Sequence, residues 1–587
     1  MQIRYLISRN TNADFDHSQG KRRAGIRFET SVRLAGIVLI FAALTGCQVQ
    51  PVEVFDLVIL NGEVVDGSGS NRFFADVAIT GDTIERIGTV SDAEKRSASR
   101  LIDAQGLMVS PGFIDIHTHS DYTLLLDGTA QSKIRQGVTT EVLGESRSAG
   151  PVTGRASREA PYGLSVDWDD LGGYFERLEK GGVSVNVATY VGATQVRLCV
   201  MGEDSRDPTD AEMDEMRELV VQAMEDGAFG LSSALLVPPN TYITTAQLIE
   251  LARAVKPFGG IYSTHIRSEG EGIEEAIREA IEIGEAAEVP VDIIHLKVAD
   301  RRLWGQMANV CDLIEEARKR GLEITSNQYP YIAGQNNLVA MVPPWAMADG
   351  REEMMAHLAR SDSRKRMERD IYEGIPGWFN HYLAMGDWGG CMVASVNSEE
   401  NKRFEGKSIS EISKLLGKSP TDVTFDLLLE EGGSVPAVYF LMSEKDVCHA
   451  MQRPWVSFGS DGTAVRPDGV LGEGRPHPRW YGTFPRILGK YVREDGVISV
   501  EEAIRKMTSL NAAKLGLVDR GLLVEGNKAD LTVFDASKII DRASFADPHR
   551  YPVGVEYVIV NGVMVLDQGS HLGTKPGRIL KKHHDSI

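Results

Sequence analysis

The chain has 587 residues and a formal charge of -20, from 83 Asp and Glu against 63 Lys and Arg. Such acidity argues against a nucleic-acid partner, which needs a basic footprint. The length has room for a barrel of about 250 residues together with accessory domains.

In chain order, Lys21, Arg22, Arg23, Arg27 and Arg33 precede an apolar run at 34–44. The run is short for a membrane span and has the length of a secretory h-region. It ends in Leu44-Thr45-Gly46-Cys47, which resembles the bacterial lipobox, where the Cys becomes the lipidated first residue of the mature protein. Residues 1–46 are therefore expected to be a lipoprotein signal and 47–54 a tether. An ordinary cleaved signal or an uncleaved anchor helix are the alternatives. On the lipoprotein reading the protein is exported and meets a membrane only through a lipid on Cys47. Gln48, rather than Asp, after the Cys favours an outer membrane. The other cysteines, Cys199, Cys311, Cys391 and Cys448, form no Cys-x-x-Cys pair, so no structural zinc knuckle is expected, and disulfides stay open.

Residues 54–66 read as two strands around Asn61-Gly62, with further strands at 75–79, 83–87 and 107–109. The texture returns at 529–534 and at 555–566 around Asn561-Gly562. Segments 55–111 and 511–587 are thus expected to form one β-sandwich from both chain ends. Between them the apolar period alternates between 2 and 3.6. Thr209 and Glu212 form a capping-box pattern ahead of an apolar face of Met213, Met216, Leu219, Val220, Ala223 and Met224, and Gly227 ends that helix. Ile273, Ala276, Ile277, Ala280 and Ile281 mark another helix. Strand and helix alternating over 112–510 predict an α/β fold with a (β/α)8 barrel, with an open doubly wound sheet as the runner-up. From about 332 to 396 the alternation fades into a Pro- and Trp-containing stretch. It reads as an insertion at the active face, either a lid or a surface decoration.

The chemistry sits at predicted strand ends. Gly112-Phe-Ile-Asp-Ile-His-Thr-His119 places His117 and His119 two apart, so both imidazoles share a face. Three more runs end in His265, His295 and Asp461. His117, His119 and Asp461 are expected to hold one divalent metal, with His265 and His295 holding a second about 3.5 to 4 Å away. The expected fourth strand, 227–234, has no Lys to bridge them. Glu145, at the end of the second strand, is the candidate bridge and Ser146 the weaker one. Asp461 is either a ligand alone or also the group that takes a proton from water and passes it to a leaving nitrogen.

Gly112 to Asp121, Gly137-Val-Thr-Thr140, Ile294-His-Leu-Lys297, Gln328-Tyr-Pro-Tyr331, Gly459-Ser-Asp-Gly462 and Pro476-His-Pro-Arg479 occur together and in order. In these blocks the chain resembles the D-aminoacylase (N-acyl-D-amino-acid deacylase) group of the amidohydrolase superfamily. The resemblance implies zinc, one or two ions, and hydrolysis of the amide of an N-acyl-D-amino acid, a small-molecule substrate. It makes Asp461 the general base and then acid, and puts the tighter metal on His265 and His295. Lys297 and Tyr329 match positions near the substrate carboxylate. Arg267 is a candidate there unless it pairs with Glu269 or Glu271, and Arg479 and Arg486 are further candidates. Two departures stand out. Family members often carry Asn-Cys, with a thiolate ligand, where this chain has Glu145-Ser146, and Ala193 replaces a frequent His. The rival readings are a D-residue dipeptidase, a cyclic-amide hydrolase, or a lipoprotein that binds metal or ligand without turnover.

Overall fold

The computed structural model describes residues 53–236, 239–348 and 350–582. The expected leader, Cys47 and most of the tether lie outside them. Eight parallel strands form the barrel: Phe113–Asp115, Val138–Leu143, Asn186–Thr189 continued as Val191–Gly192, Gly230–Ala234, Ile261–His265, Val291–Ile293, Ile324–Gln328 and Val456–Phe458. They are buried on both faces because helices cover the outside and side chains, many of them polar, fill the inside; all six residues of Val138–Leu143 are buried. The eighth strand meets the first just beyond their ends. Asp461 N–H donates to His117 O at 2.9 Å, and His119 N–H donates to Gly462 O at 3.1 Å. The expected barrel is closed.

The helices follow their local signals. Asp210–Asp226 starts at Thr209, whose side chain accepts from Glu212 N–H while Glu212 returns the bond, and it stops at Gly227 with φ 122°. Its buried face is Met216, Val220, Ala223 and Met224. Ile273–Ala287 buries Ile273, Ala276, Ile277, Ala280 and Ile281 against the strands. Among the described residues no helix is long and apolar enough to cross a membrane. The four described cysteines are free thiols.

Both chain ends build a single nine-stranded sheet. Leu531–Phe534 pairs antiparallel with Met108–Pro111 and joins the two halves. The sheet folds over a core of Ile59, Val77, Ile84, Val109, Leu531, Val533 and Ile559. Ile84, on a far strand, exchanges backbone hydrogen bonds with Gly526 and Asn527, next to the joining strand. A buried polar network ties this domain to the third barrel strand. Arg520 pairs with Asp530, Asn186 Nδ2 donates to Asp530 Oδ2 at 3.0 Å, and Asn561 Nδ2 donates to Asn186 Oδ1 at 2.8 Å.

Two Asn-Gly pairs have different fates. Asn561-Gly562 is the expected hairpin turn, with φ 48° and 77°, between Val555–Val560 and Val563–Asp567. Asn61-Gly62 instead lies inside one strand, Leu57–Val64, as a bulge against Phe73–Thr80. Asn61 N–H donates to Asp76 Oδ1 and its side-chain amide to Asp103 Oδ1, so long-range partners hold the kink and the chain does not reverse. The insertion also differs in extent. From Ala333 the chain builds a three-stranded antiparallel sheet, Ala333–Asn337, Cys391–Val393 and Pro436–Phe440, which carries it well past residue 396. Four helices of eight residues or more cover it, and Leu338, Met354, Ile371, Ile412, Leu428 and Tyr439 form a core of their own.

Turn geometry here yields a stability test. An alanine Cβ at Gly562 would sit 1.8 Å from Gly81 O, whereas one at Gly106, with φ 80°, meets nothing within 4 Å. Gly106→Ala is expected to cost about 1 kcal/mol from φ strain alone, and Gly562→Ala well above that. Urea denaturation of both variants checks the order, and equal midpoints would refute the clash.

Candidate active site

His117, His119, Glu145, His265, His295 and Asp461 converge at the C-terminal mouth of the barrel, and their ligand atoms form two groups. One is His117, His119, Glu145 and Asp461; the other is Glu145, His265 and His295; within each, the atoms lie within 4.8 Å of one another. Glu145 belongs to both. Its Oε2 is 2.7 Å from His117 Nε2 and 3.2 Å from His119 Nε2, and its Oε1 is 3.5 Å from His265 Nδ1. Asp461 Oδ1 is 3.0 Å from His119 Nε2. His295 Nε2 reaches His265 Nδ1 at 3.1 Å. Three strand-end residues, Ser146, His295 and Asp461, hold φ between 39° and 57°. Non-glycine residues rarely adopt that region, and at these positions it turns the side chains and their neighbours to one point.

The electrostatics favour a cation there. Burial raises the Glu145 and Asp461 carboxyls, yet His117 beside the first and Arg479 beside the second outweigh it, and both lie well below the usual range. Desolvation by the surrounding walls opposes a charge on His119, although its side chain is still 44% exposed, and the Asp461 and Glu145 carboxylates prevail and raise it to about 10. The carboxylates thus draw positive charge to the point between them. His295 is pushed down to about 4, by burial first and then by Lys297, which keeps it in the neutral form that binds metals. Imidazole nitrogens with a shared carboxylate fit one or two ions of the zinc type.

Beside this cluster lies a second feature. Arg479 is 4% exposed and gives Asp461 Oδ2 a contact at 3.0 Å, while its Nε and Nη1 have no partner. Its guanidinium lies 4.6 Å from the ring centre of Tyr329, whose buried hydroxyl is also unpartnered. Lys297 Nζ approaches the same ring at 5.7 Å.

The family model described as "Amidohydrolase family" matches residues 100–566. A D-aminoacylase from Alcaligenes xylosoxydans xylosoxydans is 35% identical over 535 residues, which is 90% of this chain and 98% of its own. A D-aminoacylase crystal structure covers 90% of this chain and all of its own, at 33% identity and a TM-score of 0.75. The chain belongs to the amidohydrolase family, within its D-aminoacylase group. A further neighbour, the N-acyl-D-glutamate deacylase of Bordetella bronchiseptica, was solved with zinc and a phosphonate mimic of the tetrahedral intermediate. It has a TM-score of 0.75 and 29% identity, covering 90% of this chain and all of its own.

The amidohydrolase frame separates the sequence-derived candidates. Ser146 turns away: its Oγ contacts Thr194 Oγ1 at 2.8 Å and its N–H donates to Ser232 Oγ, so Glu145 alone occupies the shared position. Ala193 begins a helix, Ala193–Met201. Arg267 is not brought into the site. It pairs with Glu279 at 2.8 Å, not with Glu269 or Glu271, and donates to Thr241 O and Ile243 O, tying a loop to a helix. Arg486 stands one layer back, on Asp541 and Pro330 O. Two residues escaped the sequence reading. Glu269 Oε1 lies 3.0 Å from His295 Nδ1 and 3.7 Å from His265 Nε2, and forms a buried ion pair with Lys297. Glu269 and Lys297 Nζ, 2.9 Å from the same Nδ1, together hold the ring with its Nε2 aimed inward. Its spacing of four from His265 was the available signal. His477 accepts Arg479 N–H at 3.0 Å and donates to Ala333 O at 2.9 Å, which sets the start of the helix Arg479–Arg486.

Glu145→Ala is expected to strip divalent metal from both positions after dialysis, while Ser146→Ala keeps the wild-type content. Mass-spectrometric metal counting distinguishes them, and equal loss in both would remove Glu145 from its shared role.

Proposed function

We propose that the chain is a zinc-dependent N-acyl-D-amino-acid deacylase. One observation carries the reading: a buried arginine with two spare donors, over a tyrosine with a free hydroxyl, next to a donor set for divalent metal. A guanidinium with unsatisfied N–H groups in a buried site is a receptor for a carboxylate, which hydantoin-type rings lack and N-acyl amino acids carry. The D-configuration is supported by the relatives, D-aminoacylase and N-acyl-D-glutamate deacylase. Zinc is supported by the donor chemistry and by the zinc-bound Bordetella neighbour.

In this reading His265, His295 and Glu145 would hold one zinc, and His117, His119, Glu145 and Asp461 a second. Zinc supplies Lewis acidity, which polarises the amide carbonyl and makes water nucleophilic near neutral pH. Arg479 Nε and Nη1, with Tyr329 Oη, bind the substrate carboxylate and thereby orient the amide. Lys297, compensated by Glu269, adds positive potential to the same pocket. Asp461, held ionised by burial-resisting contacts to Arg479 and the histidines, accepts the proton of the attacking water. It then delivers that proton to the amide nitrogen as the C–N bond breaks, which leaves a carboxylate and the free amino acid.

We further propose that the chain is exported and held at a membrane through lipid on Cys47, the lipobox residue. Mass spectrometry of the protein recovered from membranes should find Cys47 as its lipid-modified first residue; an unmodified Cys47 in that fraction would exclude the lipid as the tether.

For the activity, zinc-loaded protein starting after Cys47 is expected to release amine from N-acetyl-D-amino acids and not from their L-enantiomers. Arg479→Ala should lower kcat/KM by about a hundredfold or more, as for loss of a buried charged contact. Arg267→Ala should leave it nearly unchanged. Silence on the whole D-series with metal bound would overturn the deacylase reading.

A further inference from the structure

Lys133 is fully buried, and nothing in the proposed chemistry uses it. It lies on the short helix Gln131–Ile134 and reaches into the seam between the first and eighth barrel strands. Its Nζ donates to Asp115 Oδ2 and to Ser460 Oγ, both at 2.8 Å, and to Gly462 O at 3.1 Å. Asp115, the last residue of the first strand, accepts Ser460 N–H through Oδ1 at 2.7 Å. Ser460 Oγ in turn accepts Gly462 N–H at 3.1 Å. Asp461 therefore stands between two residues that are both anchored to one ammonium. Glu141 Oε1 approaches the same ammonium at 3.3 Å, but burial pushes its carboxyl up, and Ser120 Oγ donates to it at 2.7 Å. Asp115 is the ionic partner.

A buried lysine costs several kcal/mol of desolvation, which here the Asp115 pair and two further acceptors offset, so the ammonium is held tightly to all three. Asp461 itself has φ 48°, a strained value for a residue with a side chain. Strain of that kind persists only where the surroundings over-determine it, and here the anchors are Ser460 N–H, Ser460 Oγ and Gly462 O. Gly462 O also accepts His119 N–H, so one ammonium sets the backbone next to two ligand residues.

We propose that Lys133 is a positioning residue for Asp461, clamping the peptide groups on both sides of its turn through the Asp115 pair and Ser460. The inference rests on Asp461 being the proton acceptor, and on nothing about which acyl-amino acid is cleaved. The test is made on the zinc-loaded full-length protein with Lys133→Met and Ser460→Ala, the second of which buries no unpaired charge. In the crystal structure of either variant the Asp461 carboxylate is expected to leave its 3.0 Å contact with His119. In kinetics Lys133→Met should lower kcat about a hundredfold, as for an ångström-scale misplacement of a reacting group, with KM within about twofold. Should Lys133→Met fail to fold, Ser460→Ala decides, with an expected loss of about tenfold in kcat. An Asp461 that keeps its place, or a kcat unchanged in a folded variant, overturns the inference. If wild-type protein cleaves no N-acyl-D-amino acid, the functional reading fails on its own, and the position of Asp461 in the variant crystals still decides the role of Lys133.

Discussion

The barrel closes through the same backbone that carries the ligands. Val456–Phe458 is only three residues long, and the hydrogen bonds that join it to the first strand run from Asp461 N–H to His117 O and from His119 N–H to Gly462 O. Every other strand pair could form with these absent, but the cylinder would stay open at one seam. Fold closure and assembly of the site are therefore one event. A residue that disturbs the seam moves His117, His119 and Asp461 together, while His265 and His295, carried by internal strands, stay with their neighbours. Metal held across the two groups would reinforce closure, because ligands from the first, second and eighth strands would share one bond network.

The buried charges are arranged in pairs that leave room for one more anion. Glu269 compensates Lys297 and Asp461 compensates Arg479, while Glu145 lies among imidazoles. At an effective dielectric of 20, two opposite charges 4 Å apart attract by about 4 kcal/mol, which offsets part of the desolvation that burial imposes on each pair. Arg479 spends a single nitrogen on Asp461 and so has donors left for a carboxylate. A substrate bound there would lie against the same residue that orients the proton acceptor. On the proposed mechanism, recognition of the acid and alignment of the base would be coupled through one side chain.

What was legible in the sequence was local. The capping box at Thr209 and Glu212 and the apolar face of Ile273–Ala287 need only residues a turn apart, and both formed as read. The His-x-His pair and the three strand-end ligands were also visible, because each is placed by its own strand. Choices made by distant partners were not. Asn61-Gly62 and Asn561-Gly562 are the same dipeptide, yet Asp76 and Asp103 hold the first as a bulge. Arg267 has the spacing of a site residue, and Glu279 on the next helix takes it out of the site. Glu269 and His477 act through residues that themselves touch the site, and beyond the spacing of four between His265 and Glu269 no local pattern marks them. The insertion outran its apparent end because its third strand, Pro436–Phe440, lies over forty residues beyond its second.

The place of Glu145 between the two donor groups has a geometric consequence. A donor with a single ligand atom would have to be shared between the two groups. A carboxylate has two oxygens, and here Oε2 faces His117 and His119 while Oε1 faces His265. The two positions are therefore each given their own oxygen and neither competes for a lone donor. The longer side chain also needs room, which the left-handed backbone of Ser146 provides by folding the following residue away onto Thr194. Glu145 and Ser146 thus form one adaptation, in which the serine's strained turn makes space for the bridge. With this pair the two donor groups share one carboxylate through separate oxygens.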